Sequence, residues 1–317
     1  MNVISADAID GALDPVRLAD ALSDAFRAEI TVPLRHHHDI KRPDSDATLL
    51  LMPAWTGADA AEPFVGTKLV TIYPANGAKN LPAVMGTYLL LDGTTGAPLV
   101  ALDGARLTVW RTAAASALAA RYCARPDAAK MVMVGAGALA PFLIKAHCAT
   151  SPIKEVVLWN HRPERAEMVA AGLRAEGYPV RAVTDLEAAV READLISSAT
   201  LSTEPLIRGA WLKPGTHLDC VGAFKPSMRE TDDEAVKRAS LFCDTREGAL
   251  HEGGDYAQPL AAGIISEGDI KADLYDLTRG KHRGRSSSSE ITMFKSVGTA
   301  IEDLAAAILV WKHIRDA

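Results

Sequence analysis

The sequence predicts an α/β protein in two parts, a strand-rich N-terminal part followed by a part that contains a parallel sheet. Three observations predict this. Strand-like runs separated by turn residues fill most of the first hundred residues. Between residues 131 and 245, short apolar strands alternate with helical patterns, which is typical of a parallel sheet. The first of these strands runs into a glycine-rich loop, VGAGALA, at residues 134–140.

The N-terminal part is predicted to be a helix followed by a mostly antiparallel sheet. Asp14 and Pro15 are a typical N-cap and first-turn residue. The helix that they open carries four apolar residues on one face: Leu18, Leu22, Ala25 and Phe26. Strand-like runs follow at residues 48–55, 64–74, 83–92 and 98–104. Turn-forming residues from Asp92 to Pro98 predict a hairpin, and an alanine-rich helix is predicted over roughly residues 107–124.

The second part is predicted to alternate strands with helices. The predicted strands lie at residues 131–135, 156–160, 179–183, 194–200, 217–223 and 241–245. Helical patterns follow at residues 163–177 and 186–193. The C-terminal segment, residues 291–314, is predicted to be one long helix, because its apolar residues lie mostly on one side. These are Phe294, Ala300, Ile301, Leu304, Ile308 and Leu309.

Composition and charge exclude several classes of protein. The 317 residues carry a formal net charge of −6 without charged clusters, so we expect neither a nucleic-acid groove nor a membrane-binding face. No apolar run approaches the roughly 20 residues of a membrane span, and the acidic N-terminus lacks the apolar core of a signal peptide. The four cysteines lie far apart and predict free buried thiols in a reducing, cytoplasmic environment.

The glycine-rich loop predicts a dinucleotide site. Gly135 permits a tight turn after the strand, and Gly137 leaves room for a pyrophosphate at the start of the next helix. Ala138 and Leu139 lead into that helix, and Ala140 occupies the third position of the fingerprint, which tolerates alanine. The alternative is a glycine turn in an unrelated α/β protein. The complete strand, loop, helix and strand setting favours the dinucleotide site.

The end of the second predicted strand, WNHRPER, indicates the type of dinucleotide. An NAD site usually has an Asp or Glu there that accepts hydrogen bonds from the ribose. This strand ends instead in Asn160, His161 and Arg162, with Arg165 nearby. An amide and a guanidinium suit a 2′-phosphate, so we predict NADPH, with NADH as a weaker cofactor. The alternative is a solvated basic helix start.

Two cations occupy apolar places in the first part. Strand alternation places Lys68 on the same face as Phe64, Val70 and Ile72. Arg111 begins a helical stripe of apolar residues: Ala115, Leu118 and Tyr122. A buried charge normally needs a partner. Two structural ion pairs with Asp or Glu, and a socket for a ligand carboxylate, are equally compatible with this spacing.

Six motifs in order through nearly the whole chain resemble the ornithine cyclodeaminase/mu-crystallin family. They are FVGTKLVTIYP, LTVWRTAAASALAA, VGAGALA, SATLSTEPL, HLDCVGAFKPSMRETDDE and MFKSVGTAIEDLAAA. The resemblance implies a homodimer and a Rossmann parallel-sheet domain inserted into an α+β substrate-binding and dimerisation domain. On this basis residues 1–125 and 293–317 are assigned to the substrate and dimerisation domain, and residues 126–292 to the Rossmann domain.

The resemblance also assigns roles to residues. It implies that Lys68 and Arg111 bind the carboxylate of a small-molecule substrate, which favours the socket. The RHHHDI segment, with Arg35 and His36, lies where the family contributes further polar substrate contacts; we interpret it as a polar loop and expect no metal at its three histidines. Cofactor contacts are assigned to the glycine loop, to residues 160–162 and to further positions in the matching motifs: Thr112, Thr200, Leu201, Val221, Gly222 and Ser296.

One departure from the family pattern bears on the reaction. By the resemblance, the cyclodeaminases of this family carry an aspartate shortly after the VG of this stretch that acts as acid and base, and this sequence has Phe224 at that position. A phenylalanine cannot transfer a proton. The resemblance then implies NADPH-dependent reduction of a cyclic imino acid, with Lys68 and Arg111 on the carboxylate and Phe224 beside the substrate. Three alternatives remain, namely an open-chain amino-acid dehydrogenase, ornithine cyclodeaminase (which Phe224 disfavours) and a ligand-binding protein resembling mu-crystallin.

Overall fold

The computed structural model describes residues 2–43 and 45–316, and the chain divides into two compact units. Residues up to 111 together with residues from 299 onwards form the first unit, and residues 112–298 form the second. The sequence-based assignment divides the chain at 125/126 and 292/293. The two divisions assign residues 112–125 and 293–298 to different units. The first range contains the second half of one helix, and the second range contains most of one short strand.

The elements have the following bounds. The helices are α1 Ala6–Ala12, α2 Pro15–Arg27, α3 Gly104–Cys123, α4 Ala140–Thr150, α5 Pro163–Ala175, α6 Leu186–Glu192, α7 Asp233–Arg238, α8 Arg246–His251, α9 Gly254–Ala261, α10 Leu274–Thr278 and α11 Ala300–Arg315. The strands are β1 Asn2–Ile4, β2 Ile30–Thr31, β3 His36–Ile40, β4 Ala47–Thr56, β5 Phe64–Ile72, β6 Val84–Asp92, β7 Pro98–Asp103, β8 Lys130–Val134, β9 Glu155–Trp159, β10 Val180–Val183, β11 Leu195–Ser198, β12 His217–Cys220, β13 Ser240–Cys243, β14 Ile270–Asp273 and β15 Thr292–Lys295. Short 3₁₀ turns occupy Pro74–Lys79, Gly209–Trp211 and Glu267–Asp269.

The first unit is a mixed sheet covered by helices. Its strand order is β1-β7-β6-β5-β4-β2, with β3 also paired to β4. All of these pairs are antiparallel except β1 with β7, so the predicted antiparallel sheet is confirmed. Helix α11 packs on α2 and on the central strands β4, β5 and β6. This packing places residues of the C-terminal helix against the strand that carries Lys68.

Local chemistry explains the N-terminal helix and the hairpin. The Asp14 carboxylate accepts hydrogen bonds from the backbone N–H groups of Val16 and Arg17, so the predicted N-cap is confirmed. The four apolar residues of that helix are all buried: Leu18, Leu22, Ala25 and Phe26. Between β6 and β7, the Asp92 carboxylate accepts from the backbone of Thr94 and Thr95, and Gly96 has a φ of +74°. These residues close the predicted hairpin.

The second unit contains a fully parallel sheet of the Rossmann type. Its strand order is β10-β9-β8-β11-β12-β15-β13-β14, in which the order reverses between β8 and β11. Successive residues of β8 point to opposite faces. Met131 and Met133 pack in one apolar core, and Val132 and Val134 pack in the other. The sheet is therefore buried on both faces, as parallel sheets usually are.

The single long C-terminal helix predicted over residues 291–314 is wrong in its first third. Thr292–Lys295 form the buried strand β15, which pairs in parallel with β12 and β13. Gly298 then adopts a φ of +82°, and α11 begins only after Thr299. A four-residue strand that is buried on both faces shows no alternation of polar and apolar residues. The sequence pattern therefore could not distinguish its apolar residues from those of the adjoining helix.

Two further features concern the chain as a whole. None of the helices in the described ranges is long and apolar enough to cross a membrane. The cysteines at 123, 148, 220 and 243 are free, as the sequence predicts. Burial raises the pKa of each of these thiols, to about 11 for Cys148, so the thiols are protonated and unreactive near neutral pH.

Candidate active site

Lys68 and Arg111 belong to one buried cluster of charges in the first unit. Lys68 Nζ lies 3.0 Å from Asp303 Oδ1 and 2.8 Å from Asp303 Oδ2. Arg111 donates from Nε to Asp303 Oδ1 at 3.0 Å and from Nη1 to Glu302 Oε2 at 2.7 Å. Helix α11 thus supplies carboxylates to cations from β5 and α3. The structure thus contains the ion pairs with Asp and Glu that one interpretation of the spacing predicts. It also brings Lys68 and Arg111 together, as the other interpretation, a socket for a ligand carboxylate, requires.

The charged side chains of the cluster are buried. Lys68 and Arg111 are 3% and 5% exposed, and Glu302 and Asp303 are fully buried. Burial lowers the pKa of Lys68 to about 8, although Asp303 opposes the shift, and the charge of Arg35 contributes to lowering it. Arg35 therefore lies within electrostatic range of Lys68. The two cations of the cluster are thus matched by two carboxylates, and the Arg35 charge adds a positive potential that favours a carboxylate ligand.

A tyrosine that sequence reasoning missed lies beside this cluster. Tyr88 lies directly opposite Lys68 in the β5–β6 register and is fully buried. Its hydroxyl has no hydrogen-bond partner among residues 2–43 and 45–316. Burial and the nearby Asp303 raise its pKa, so the hydroxyl stays protonated and can donate. A Cβ at Gly66 would lie 2.0 Å from this hydroxyl, so only glycine leaves room for it.

The glycine loop of the second unit has the geometry of a pyrophosphate site. Gly135 has a φ of +105°, and a Cβ there would lie 2.6 Å from the carbonyl oxygen of Ala199. A Cβ at Gly137 would meet nothing within 4 Å, so this position opens onto free space. Ala138 is exposed, and Leu139 caps α4 without a side-chain hydrogen bond to the helix N-terminus. Open space beside uncapped N–H groups fits a bound phosphate.

The end of β9 supports this loop and presents cations beside it. Asn160 Oδ1 accepts from the Ala136 N–H at 3.3 Å, and Asn160 Nδ2 donates to the Arg162 carbonyl at 3.2 Å. Arg165 Nε donates to the Ala136 carbonyl at 3.3 Å. The Asn160 amide is therefore turned towards the glycine loop, which it positions. The side chains of His161 and Arg162 are exposed.

A cavity of about 560 Å³ joins these groups at the carboxyl ends of β8, β9 and β11. Parallel α/β sheets bind ligands at this place, where the strand order reverses. Seven of the predicted cofactor residues line the cavity: Gly135, Gly137, Asn160, His161, Arg162, Thr200 and Leu201. The volume lies within the range of small-molecule sites. The residues present therefore fit a dinucleotide.

Four other predicted cofactor residues are buried and do not line the cavity: Thr112, Val221, Gly222 and Ser296. The Gly222 N–H donates to Glu230 at 2.7 Å. Ser296 Oγ donates to Asp244, which also accepts from the N–H groups of Val297 and Gly298. Gly222 and Ser296 thus have partners within the protein, and the contact of all four residues with a cofactor stays a prediction.

Phe224 and Glu230 lie at opposite ends of the loop that follows β12. Phe224 is 39% exposed, at the position where the cyclodeaminase pattern has its aspartate. Glu230 is fully buried and accepts hydrogen bonds from several groups at the ends of β11 and β12. Glu230 was not predicted from the sequence, because a charged residue in a loop is expected to be exposed. Its burial is explained only by the five hydrogen bonds that its carboxylate accepts in the fold.

The polar loop predicted at residues 35–40 is in fact mostly strand. His36–Ile40 form β3, which pairs antiparallel with residues 47–51 of β4. This edge strand is mostly polar and exposed, so the sequence has no apolar face from which a strand could be predicted. The rings of His36 and His38 lie on the same side, 6.3 Å apart. Within the described residues no three metal-ligating side chains converge, at this strand or elsewhere.

Comparisons with known proteins identify relatives over the whole chain. Residues 2–317 match the model of the ornithine cyclodeaminase/mu-crystallin family. The chain is 40% identical to the Delta(1)-pyrroline-2-carboxylate reductase of Paracoccus denitrificans, over 90% of this chain and 89% of that protein. It is 38% identical to the ketimine reductase mu-crystallin of Rattus norvegicus, over 82% of this chain and 79% of that protein.

The fold also matches a solved structure over its full length. The Delta(1)-pyrroline-2-carboxylate reductase of Thermococcus litoralis, in complex with NADH and L-proline, superposes with a TM-score of 0.92. The two chains are 33% identical, and the match covers 100% of this chain and 98% of that one. The predicted α/β fold with a Rossmann-type sheet is therefore confirmed.

Proposed function

The chain belongs to the ornithine cyclodeaminase/mu-crystallin family, and we propose that it reduces cyclic imino acids with NADPH. The proposed substrates are Δ1-pyrroline-2-carboxylate and Δ1-piperideine-2-carboxylate, and the products are L-proline and L-pipecolate. One observation carries the proposal. Lys68 and Arg111 converge in a buried cluster, in a chain that has Phe224 where a cyclodeaminase would need its acid.

In this proposal the first unit binds the substrate by its carboxylate. The Arg111 guanidinium and the Lys68 ammonium hold the carboxylate, and the Arg35 charge adds to the attraction. Asp303 and Glu302 fix the two cations in place through the ion pairs already present. Cations that are already oriented need no reorganisation when the anion arrives. The clamp therefore contributes both affinity and a fixed orientation of the imine.

The reaction adds a hydride to the imine carbon and needs one proton on the ring nitrogen. Bound NADPH supplies the hydride. The imine can bind already protonated, or Lys68, with a pKa of about 8, can donate the proton directly or through water. Neither route requires a carboxylic acid at position 224. Phe224 instead offers an apolar, half-buried ring for the substrate or the cofactor to contact.

A panel of substrates tests the proposed function. Purified protein is mixed with NADPH and each cyclic imine, with pyruvate plus ammonia, and with ornithine, and the absorbance of the reduced nicotinamide is followed. We expect rapid oxidation with at least one imine. Oxidation of NADPH with pyruvate plus ammonia, but with neither imine, would indicate an open-chain dehydrogenase. Ammonia released from ornithine without net NADPH consumption would indicate a cyclodeaminase, and silence throughout would leave the ligand-binding alternative.

Lys68 gives the proposal a pH dependence. Burial lowers its pKa to about 8, so the ammonium loses its proton, and its attraction for a carboxylate, as the pH rises through that value. We expect kcat/KM for the imine to fall above about pH 8. In Lys68→Arg the guanidinium stays protonated, so the fall in kcat/KM at high pH should disappear. A fall caused by titration of the substrate itself would persist in this variant. An unchanged profile in Lys68→Arg would contradict the assignment.

Arg162 tests the preference for NADPH. The proposal places this exposed guanidinium on the 2′-phosphate, which NADH lacks. We expect Arg162→Ala to raise KM for NADPH at least tenfold, a typical loss for one charge-assisted contact, and to change KM for NADH by less than about twofold. Arg174→Ala, at the far end of α5 beside Glu167, is the matched control. Equal effects on both cofactors would disprove the assignment.

Assembly and location complete the proposal. We assign substrate binding and dimerisation to residues 1–125 and 293–317, and cofactor binding to residues 126–292, in a cytoplasmic homodimer. Family membership supports the dimer, and free cysteines support a reducing compartment. Light scattering coupled to gel filtration measures the mass. A species of about 33.7 kDa, the mass of one chain, would contradict the dimer.

A further inference from the structure

The loops after β11 and β12 converge on the carboxylate of Glu230. Glu230 Oε1 accepts from Ser198 Oγ at 2.6 Å, from the Thr200 N–H at 2.7 Å and from Thr200 Oγ1 at 2.8 Å. Glu230 Oε2 accepts from the N–H groups of Gly222 at 2.7 Å and of Ala223 at 3.3 Å. One carboxylate thus connects the loop that contains Thr200 and Leu201 with the loop that contains Gly222 and Phe224.

The two loops are packed so closely that no side chain separates them. A Cβ at Gly222 would lie 2.3 Å from the Thr200 carbonyl oxygen and 2.5 Å from Glu230 Oε1. The spacing between the loops is therefore set by the backbone and by the carboxylate that accepts from both. Thr200 and Leu201 line the cavity that fits the dinucleotide, so this spacing determines part of the cavity wall.

Glu230 is itself held in place by a second pair of charges. Asp255 Oδ1 accepts from the backbone N–H groups of Glu230 and Thr231, each at 2.9 Å. Asp255 Oδ2 lies 3.1 Å from Lys295 Nζ, and all three charged side chains are fully buried. The Lys295 charge offsets one of the two buried carboxylates. Burial and the charge of Asp255 raise the pKa of Glu230, whereas Lys295 and the hydrogen bonds from Ser198 and Thr200 oppose this rise. Five N–H and O–H donors satisfy the two oxygens of this buried side chain.

We propose that Glu230 is a positioning residue for the dinucleotide. Its carboxylate fixes the Thr200 and Gly222 loops at the spacing that accepts the cofactor, without touching the cofactor itself. The inference rests on the proposed function insofar as that function requires a nicotinamide dinucleotide in the second unit. It adds a role for a buried acid that the proposed reaction does not use for proton transfer.

Two substitutions separate geometry from charge. Glu230→Gln keeps the volume, but its amide turns one of the two acceptors into a donor that faces the N–H of Thr200 or Gly222. Glu230→Asp keeps the charge, but it is shorter by one methylene and cannot reach both loops. If spacing is what matters, both variants are impaired. If charge alone matters, Glu230→Asp retains the wild-type affinity.

The test measures cofactor binding without substrate. Titration of the protein with NADPH, and separately with NADH, is followed by nucleotide fluorescence for wild type, both Glu230 variants and Glu204→Gln. Glu204 is an exposed acid in the Thr200 loop and serves as the control. We expect at least a tenfold rise in Kd for both variants and for both nucleotides, with less than a twofold change in the control. Hydrogen exchange of the unliganded variants should increase in residues 199–206 and 221–229 specifically.

The outcomes are distinct. Wild-type affinity in Glu230→Gln, or in Glu230→Asp, would overturn the positioning role. A variant that exchanges faster throughout the second unit, rather than in the two loops, would also overturn it, because the role would then be one of general stability. If the wild-type protein binds neither NADPH nor NADH, the proposed function itself fails, whatever the variants do.

Discussion

Arg111→Lys is expected to lower kcat/KM for Δ1-pyrroline-2-carboxylate by about 10²- to 10³-fold, equivalent to about 3–4 kcal/mol of transition-state stabilisation. The substitution keeps the positive charge, and so keeps a partner for Glu302 and Asp303. It removes the planar fork with which Arg111 binds both acids and would bind the substrate carboxylate. Most of the loss should therefore appear in turnover and substrate KM, with the protein still folded.

The control for this prediction lies on the same helix. Arg106 is also on α3, but it pairs with Asp10 near the surface at 3.6 Å. Arg106→Lys should leave kcat/KM within about twofold, since exposed pairs of this kind contribute little. Steady-state kinetics with both cofactors, together with circular dichroism of each variant, measure the effect. If Arg111→Lys and Arg106→Lys have equal activity, the carboxylate clamp is wrong.

Asp303→Asn is expected to lower the free energy of unfolding by about 3–5 kcal/mol. Asp303 is fully buried and accepts from both Lys68 and Arg111. The asparagine has the same shape, but it leaves two buried cations with one remaining carboxylate, Glu302. Breaking one partner out of a buried ion-pair network leaves uncompensated charge, which is costly in a medium of low polarity.

An exposed carboxylate in the same unit provides the comparison. Glu62 also pairs with two cations, Lys312 and Arg315, but all three side chains are more than two-fifths exposed. Glu62→Gln should barely shift the denaturation midpoint, because water screens such pairs. Urea unfolding followed by circular dichroism measures both variants. A similar midpoint for Asp303→Asn and for the wild type would show that the cluster does not stabilise the first unit.

The sequence predicts the parts of this fold that have a strong local signal. The β6–β7 hairpin was evident from turn residues at 92–98, and the Asp14 cap from its position before Pro15. The strand β15 was missed because its place between β12 and β13 depends on pairing with residues more than forty positions away. The edge strand β3 was missed because its polar sequence has no buried face.

In the candidate site, too, residues with a strong local signal could be predicted, whereas their partners from distant parts of the chain could not. Gly135 and Gly137 could be assigned from sequence, because a positive φ and an open approach each require glycine. Lys68 and Arg111 stood out as cations among apolar residues, but their partners on α11 did not. Asp303 is 235 residues from Lys68 in the chain, and no spacing rule connects them. Glu230 could not be identified for the same reason, since its donors come from two separate segments, residues 198–200 and 222–223.

The most direct test of the proposed imine reduction follows the hydride itself. The protein is incubated with Δ1-pyrroline-2-carboxylate and NADPH that carries deuterium on the transferred position of nicotinamide C4. The product is then analysed by mass spectrometry and NMR. We expect L-proline with one deuterium at Cα, and a lower yield with Arg111→Lys under the same conditions. Unlabelled proline, or no proline while ornithine is deaminated by the same preparation, would contradict it.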